Sequence, residues 1–320
     1  MIEPRGKMAF CFPGQLQERP RLELHPSLKG SPWFQEVMEK ASRHTSFDLV
    51  DFSFKGETGE DRLHLKLQIA TYLLSAVHFN RLRATGWAPV ILAEHSMGVY
   101  AALASSEAIT FEEGLFITES VGGLLEKAGS LQQGAMASIT GLSLQEVQKI
   151  CRDLDGYDLF IANYNGPMHY VISGEEEGVE KAISFALARK AISATRLAFH
   201  VALHSSSLLS LREEIKDILK DVKIQPPQIP ILNHWTVKPL RKEEIKDFLS
   251  EEVGRPVYWI RCVEKLVQDG VTQFVEVGHE ATLTKLIRAI NRDVEAFSAG
   301  DRLEVVSQSD PVHLSKNRSP

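Results

Sequence analysis

Only three cysteines occur in 320 residues, Cys11, Cys151 and Cys262, and no two stand at C-x-x-C spacing. That scarcity excludes a disulfide framework and a thiolate zinc site, and the odd count fits a reducing cytoplasm. Long apolar runs are also absent. The early stretch MAFCF is too short for a signal core, and no stretch approaches the roughly 18 apolar residues of a membrane span. Positive charge is not in excess either: 36 basic against 42 acidic side chains leave a net charge of -6. A general nucleic-acid binder needs clustered Lys and Arg facing phosphates, so nucleic acid is not an expected partner. What remains is a chain with 43% hydrophobic residues, able to bury a large core as one big domain carrying a smaller one. A cytoplasmic protein with no membrane partner is expected.

The most informative stretch is PVILAEHSMGVYAAL, Pro89 to Leu103. An apolar run stops at Glu94-His95-Ser96-Met97-Gly98, and an alanine-rich helix begins. A serine on such a strand-to-helix corner exposes its Oγ at the carboxyl edge of a sheet. The next backbone N–H and the helix N-terminus are then placed to stabilise an oxyanion. The usual elbow reads G-x-S-x-G; Gly98 keeps the second small position, whereas Glu94 occupies the first. A Ser-x-Gly step at a helix start also serves as an ordinary N-cap, so the corner alone does not settle the chemistry.

Strand-like and helix-like segments alternate through most of the chain, which predicts an α/β fold with a largely parallel sheet. MAFCF before Pro13-Gly14 reads as a buried strand, and residues 66–84 as a helix ended by Gly86. Residues 111–127 continue as helix. Between Gly134 and Phe199 the order becomes strand GAMASIT, helix 143–154, strands DLFIAN and HYVIS, helix 178–190 and strand ATRLAF. That β-α-β-β-α-β order is ferredoxin-like. Helix 205–219, strand IPILNH, helix 257–268, strand TQFVEVG and helix 281–290 follow. The expected organisation is a large α/β-hydrolase-like subdomain over residues 8–130 and 201–300, with a small ferredoxin-like subdomain over 131–200. Residues 301–320 form a polar tail expected to be disordered.

Six segments, taken in order, resemble the malonyl-CoA:acyl carrier protein transacylase family, which includes the acyltransferase domains of polyketide synthases. They are FPGQ at Phe12–Gln15, EHSMGVYAAL, NYNGPMHYVISG, VALHSSSLLSLREEI, PILNHWTVKPL and FVEVGHEATL. The resemblance spans Met8 to about Ala299. It implies that Ser96 is the nucleophile and His204 its base, with the backbone N–H groups of Gln15 and Met97 as oxyanion hole. It further implies that a main-chain carbonyl near Asn233 orients the histidine, and that His95 lies near the acyl pocket. His169 stands where the family has Gln. His200 lies four residues before His204, but the downstream SSSLLSLREEI keeps the family's register only when counted from His204. His234 and His279 read as hydrogen-bonded loop histidines.

Departures from the family pattern bear on substrate. Malonyl-selective members carry an arginine in an R-G step of the helix after the elbow, where it pairs with the free carboxylate. Counting back from Gly134-Ala135-Met136, that step is Val121-Gly122 here. A carboxylate buried against valine would keep several kcal/mol of desolvation cost with no fork of donors to offset it. Leu203, before the histidine, stands where malonyl-type domains carry Phe, and Val99 replaces a glutamate. Glu94 is counted with His95, Val121, Leu203 and His169 as pocket residues. It reads as a carboxylate at a helix N-terminus or as a group polarising His204 or a water. The expected pocket suits an uncharged acyl chain.

Three functions remain open on these residues. One is acyl transfer between thioesters of CoA or acyl carrier protein in fatty-acid or polyketide biosynthesis. Another is hydrolysis of acyl carrier protein thioesters, with water replacing the second thiol. The last is a non-catalytic homologue that only docks the carrier. No cofactor is expected beyond the acyl-CoA or phosphopantetheinyl carrier protein that serves as substrate, and no metal; a monomer is expected. Acidic carrier proteins call for basic groups near the pocket mouth, for which Arg81, Arg83, Lys238, Arg241 and Lys242 are candidates.

Overall fold

The computed structural model describes residues 6–16, 26–56, 62–131 and 133–301. Eleven strands occur among them: β1 Lys7–Phe12, β2 Phe47–Asp48, β3 Ser53–Phe54, β4 Ile91–Glu94, β5 Gly134–Thr140, β6 Leu159–Gly166, β7 His169–Glu175, β8 Ser193–Arg196, β9 Ile231–Leu232, β10 Val271–Glu276 and β11 Glu295–Ser298. Five of them form an all-parallel sheet in the order β11-β10-β1-β4-β9. Parallel sheets need cover on both faces, and the alternation along β1 provides it. Phe10 and Phe12 join the core cluster containing Leu73, Val77, Val99 and Leu103, from helices Leu63–Ala84 and Gly98–Ser105. Ala9 and Cys11 join Trp259, Val263, Leu266 and Ile287 on the other face, from helices Trp259–Gln268 and Thr282–Ile290. Each such fully buried large side chain contributes about 2 kcal/mol.

A second sheet, antiparallel in the order β6-β7-β5-β8, has the ferredoxin-like connectivity expected from sequence. Its two faces divide by parity. Ala135, Ala137 and Ile139 of β5 pack with Val147, Ile150, Val179 and Ala182 of helices Leu144–Asp153 and Glu176–Ala188. Met136 and Ser138, from the same strand, turn the other way and line the cavity above the large sheet. Asn163, Asn165, His169 and Val171 of β6 and β7 line it as well. The helix after β5 starts at a capping box in which Ser143 and Glu146 satisfy each other's backbone N–H groups.

Several expected elements differ in extent. IPILNH contributes only Ile231–Leu232 to the sheet. Pro230 has no N–H to give, and the Asn233 side chain accepts from Trp235 N–H (2.8 Å) and Thr236 N–H (2.9 Å), folding the chain into a turn. ATRLAF is a strand only through Arg196; Leu197 N–H still donates to Met136 O at 2.9 Å, and Leu197 and Phe199 line the cavity. Segment 205–219 begins as a 3-10 helix, Ser206–Leu211, before α-helix Arg212–Leu219. Helices Pro32–Ala41 and Ile245–Glu251 and strand β11 had no sequence expectation. The expected polar tail lies outside the described residues except for Asp301. No helix among the described residues is long and apolar enough to cross a membrane.

Candidate active site

The carboxyl edge of the parallel sheet gathers the residues of interest, as open α/β sheets do. Gln15 follows β1, Ser96 follows β4, Asn233 and His234 follow β9, and the segment 277–282 follows β10. The corner after β4 is tight. Ser96 has φ +56°, a left-handed conformation that costs a non-glycine residue about 1 kcal/mol or more and is kept where the surroundings enforce it. Gly98 is required for a different reason. A Cβ there would lie 2.4 Å from the Phe12 carbonyl oxygen and 2.7 Å from that of Pro13, so only glycine lets the helix begin against the end of β1.

Ser96 Oγ lies 2.7 Å from His204 Nε2. The His204 ring is buried, and its Nδ1 faces two main-chain carbonyls, Arg255 O at 2.9 Å and Glu252 O at 3.2 Å. These acceptors put the proton on Nδ1 and leave Nε2 free to accept from the serine. The expected carbonyl at Asn233 is corrected here: Asn233 O accepts instead from Val237 N–H at 2.9 Å. The chain reaches His204 at Arg255 because Tyr164 N–H donates to Val257 O and Val257 N–H donates to Ala162 O, each 2.8 Å, binding this segment to the edge of β6. His200 is exposed and takes no part in the pair. Burial, then the neighbouring His234 and His95, push His204 down to about 3 against the pull of its two carbonyl acceptors.

Glu94 is the second correction. It does not line the cavity; it is fully buried behind the serine corner, where its carboxylate accepts His234 N–H at 2.8 Å and binds His234 Nδ1. The expectation that it polarises His204 fails in direct form, since the partner is His234. Burial alone would depress His234, but the Glu94 carboxylate and its hydrogen bond outweigh that and hold it above the ordinary histidine value. Glu252, also buried, accepts from Tyr100 OH at 2.8 Å. Burial pushes its carboxyl up to about 7. His204, His234 and Glu252 place donor atoms within 4.8 Å of one another. With both His204 nitrogens and His234 Nδ1 engaged, only His234 Nε2 and Glu252 Oε2 stay unpartnered, fewer donors than a structural or catalytic zinc site needs.

The cavity encloses about 220 Å³. Of the sequence-expected residues it collects Gln15, His95, Ser96, Met97, Val121, His169, Leu203 and His204. His95 Nε2 lies 2.9 Å from Asn165 Oδ1 and His169 Nε2 2.9 Å from Ser138 Oγ; burial pushes His95 down to about 4 despite the Asn165 contact. Sequence reasoning missed Gln68, Leu125, Met136, Phe199 and Glu252. Neither Lys nor Arg occurs among the described residues lining this cavity.

The basic residues expected at its mouth divide differently. Arg81 is buried and donates to Ala299 O. Arg83 donates to Trp87 O, and it lies fifteen residues beyond Gln68 on one helix, about 22 Å along the axis. Neither fits a docking surface at the mouth. Lys238, Arg241 and Lys242 are exposed, Arg241 being paired with Glu244.

A serine and histidine joined at the carboxyl edge of a parallel sheet, roofed by a small antiparallel sheet, define a class, and comparison with known proteins agrees. The chain belongs to the acyl transferase domain family, whose model matches residues 25–309. Similar curated proteins include two from Bacillus subtilis (strain 168). A malonyl CoA-acyl carrier protein transacylase is 28% identical over 92% of this chain and 94% of its own. The polyketide biosynthesis malonyl CoA-acyl carrier protein transacylase PksC is 30% identical over 91% and 99%. Among solved structures, a type II PKS acyl-carrier protein in complex with its malonyl-transacylase gives a TM-score of 0.85 at 28% identity, covering 94% of this chain and 98% of that one. The malonyl CoA-acyl carrier protein transacylase from Coxiella burnetii gives 0.83 at 27%, covering 94% and 96%.

Proposed function

We propose that this protein moves an uncharged acyl group between thioesters of CoA and acyl carrier protein, through an acyl-Ser96 intermediate, in fatty-acid or polyketide biosynthesis. One observation carries the reading: the 2.7 Å Ser96–His204 pair opens on a cavity lined by Val121, Leu125, Met136, Leu197, Phe199 and Leu203 with no cationic side chain among its described residues. His204 Nε2 takes the Ser96 proton as Oγ attacks the thioester carbonyl carbon. The backbone N–H groups of Gln15 and Met97 hold the oxyanion, the latter at the N-terminus of helix Gly98–Ser105. The C–S bond then breaks, and the departing thiolate takes the proton from His204. A second thiol, deprotonated by the same nitrogen, reverses these steps and carries the acyl group away. The relatives' names and the carrier-protein complex support acyl carrier protein as partner. The protein is read as a cytoplasmic monomer needing no cofactor beyond its thioester substrates.

A malonyl carboxylate would meet Val121 where pairing requires a guanidinium. Val121→Arg is therefore expected to raise malonyl loading of Ser96 by at least about tenfold and to lower loading by uncharged acyl groups, since a hydrogen bond to a charged group is worth about 1.5–3 kcal/mol. Intact-protein mass after mixing with malonyl-CoA and butyryl-CoA reads both. Unchanged selectivity would place the acyl wall elsewhere.

The depressed His204 predicts a pH profile. An ordinary histidine base loses activity as pH falls through about 6.5. With His204 at about 3, the acylation rate should stay within about twofold from pH 8 to pH 5. Stopped-flow release of CoA checks this, and a limb centred near pH 6.5 would contradict it.

Transfer and hydrolysis share the first step and part at the second. Following acyl-Ser96 with and without a fresh carrier thiol separates them: an adduct that persists until the thiol arrives supports transfer, and free acid formed without thiol supports hydrolysis. A protein that never loads would be a non-catalytic homologue.

A further inference from the structure

A second cavity of about 280 Å³ adjoins the acyl pocket. The two share Gln15, Gln68, Leu125, Phe199 and Leu203 as walls, so what divides them is side chain. Gln15 Nε2 lies 3.2 Å from His64 Nδ1, and the His64 ring stacks on Phe199 at a centroid distance of 5.3 Å. Gln15 Oε1 is buried without a partner, so rotating that side chain breaks few bonds. Val121, Leu125 and Gly129 follow one another at i, i+4 spacing along the helix Phe111–Leu131 and so share a face. The first lines only the acyl pocket, the second both cavities, the third only the second cavity. Opposite them, Leu203 and Phe199 line both and Val201 the second. An apolar track thus runs past the partition for eight helical residues, about 12 Å, flanked in the second cavity by the polar side chains of His64, Glu126, Ser130, Gln133 and His200.

We propose that the second cavity receives the distal methylenes of an unbranched, medium-length acyl chain carried on Ser96, with Gln15 and Phe199 swinging aside to admit it. This rests on the reading of Ser96 as the acyl carrier and names its substrate class. A fully extended alkyl chain, with C–C bonds of about 1.5 Å, advances about 1.3 Å per bond, so the track accommodates roughly nine bonds. An anionic chain end would meet the Glu126 carboxylate as well as Leu125 and Val201 in the second cavity, which selects an uncharged tail.

The test is the rate of Ser96 acylation by acetyl-, butyryl-, hexanoyl-, octanoyl- and decanoyl-CoA, read by CoA release and intact mass, in the wild type and in His200→Trp. His200 lines the second cavity only and is exposed, so an indole there fills that cavity from its rim. The wild-type kcat/KM is expected to rise from butyryl to octanoyl, by up to about fourfold per methylene buried. His200→Trp should keep acetyl loading within twofold and reduce octanoyl loading at least tenfold; its acetyl rate also reports that it is folded. Wild-type rates that collapse at hexanoyl, or a variant with the wild-type chain-length slope, overturn the proposal while leaving Ser96 as carrier. Failure of every thioester to load Ser96 overturns both.

Discussion

Replacing Ser96 by alanine is expected to lower acyl-thioester turnover at least about 10⁴-fold and to abolish the covalent adduct. The expectation follows from how little else in the cavity could attack. His204 Nε2 faces the serine Oγ, and its Nδ1 is held by the Arg255 and Glu252 carbonyls. The three cysteines are no substitute: Cys11 and Cys262 are buried, and none of the three lines the cavity. Stability should hardly change. The variant loses one hydrogen bond, worth about 1 kcal/mol net, so thermal unfolding should move by no more than a few degrees. Turnover by a folded Ser96→Ala protein above one hundredth of the wild-type rate would remove the serine from the chemistry.

Replacing Glu94 by alanine is expected to have the largest effect on stability. The carboxylate is buried and binds both the backbone N–H and the ring of His234, itself buried. Removing one partner of a buried pair costs about 3–5 kcal/mol, a large part of a typical 5–15 kcal/mol total, and should lower the melting temperature on the order of 10 °C. The pH dependence gives the cause away. In the wild type His234 is held above its unfolded value, so its contribution is fully present below about pH 6.5 and fades as pH rises through the folded value. Without Glu94, only the charge of the nearby Glu252 opposes burial, and His234 is expected to fall below its unfolded value. The unfolded chain then binds the proton better, and stability drops as pH falls below about 6.5. The Glu94→Ala deficit should therefore grow from pH 8 to pH 5.5, with Glu94→Gln showing a smaller loss. A deficit independent of pH would mean that packing, and not the His234 charge, sets the role of Glu94.

What the sequence made legible follows from where the information lies. The strand-turn-helix corner at Ser96 and the β-α-β-β-α-β order of the small sheet are local patterns, and both stand in the structure. Val121, reached by counting residues back from Gly134, is among the residues lining the cavity. The histidine's carbonyl partner could not be found this way. Any residue has a carbonyl, and Arg255 supplies the nearer of the two only because its segment is bonded to the edge of β6. Glu94 misled for a related reason. Beside the serine in sequence, it reads as a pocket group. The strand's alternation instead turns it inward to meet His234, 140 residues away, and no local pattern links them. The short β9 was overextended because the Asn233 side chain competes with the sheet for backbone N–H groups.

The central claim is that Ser96 carries an acyl group without a free carboxylate. Its most direct measurement is a competition: the protein is mixed with equal concentrations of malonyl-CoA and hexanoyl-CoA, quenched within the first turnover, and the mass of the peptide containing Ser96 is read. The account predicts a hexanoyl adduct on Ser96 in at least about tenfold excess over malonyl, the ratio expected when a desolvated carboxylate lacks a guanidinium partner. A predominantly malonylated Ser96 would contradict it.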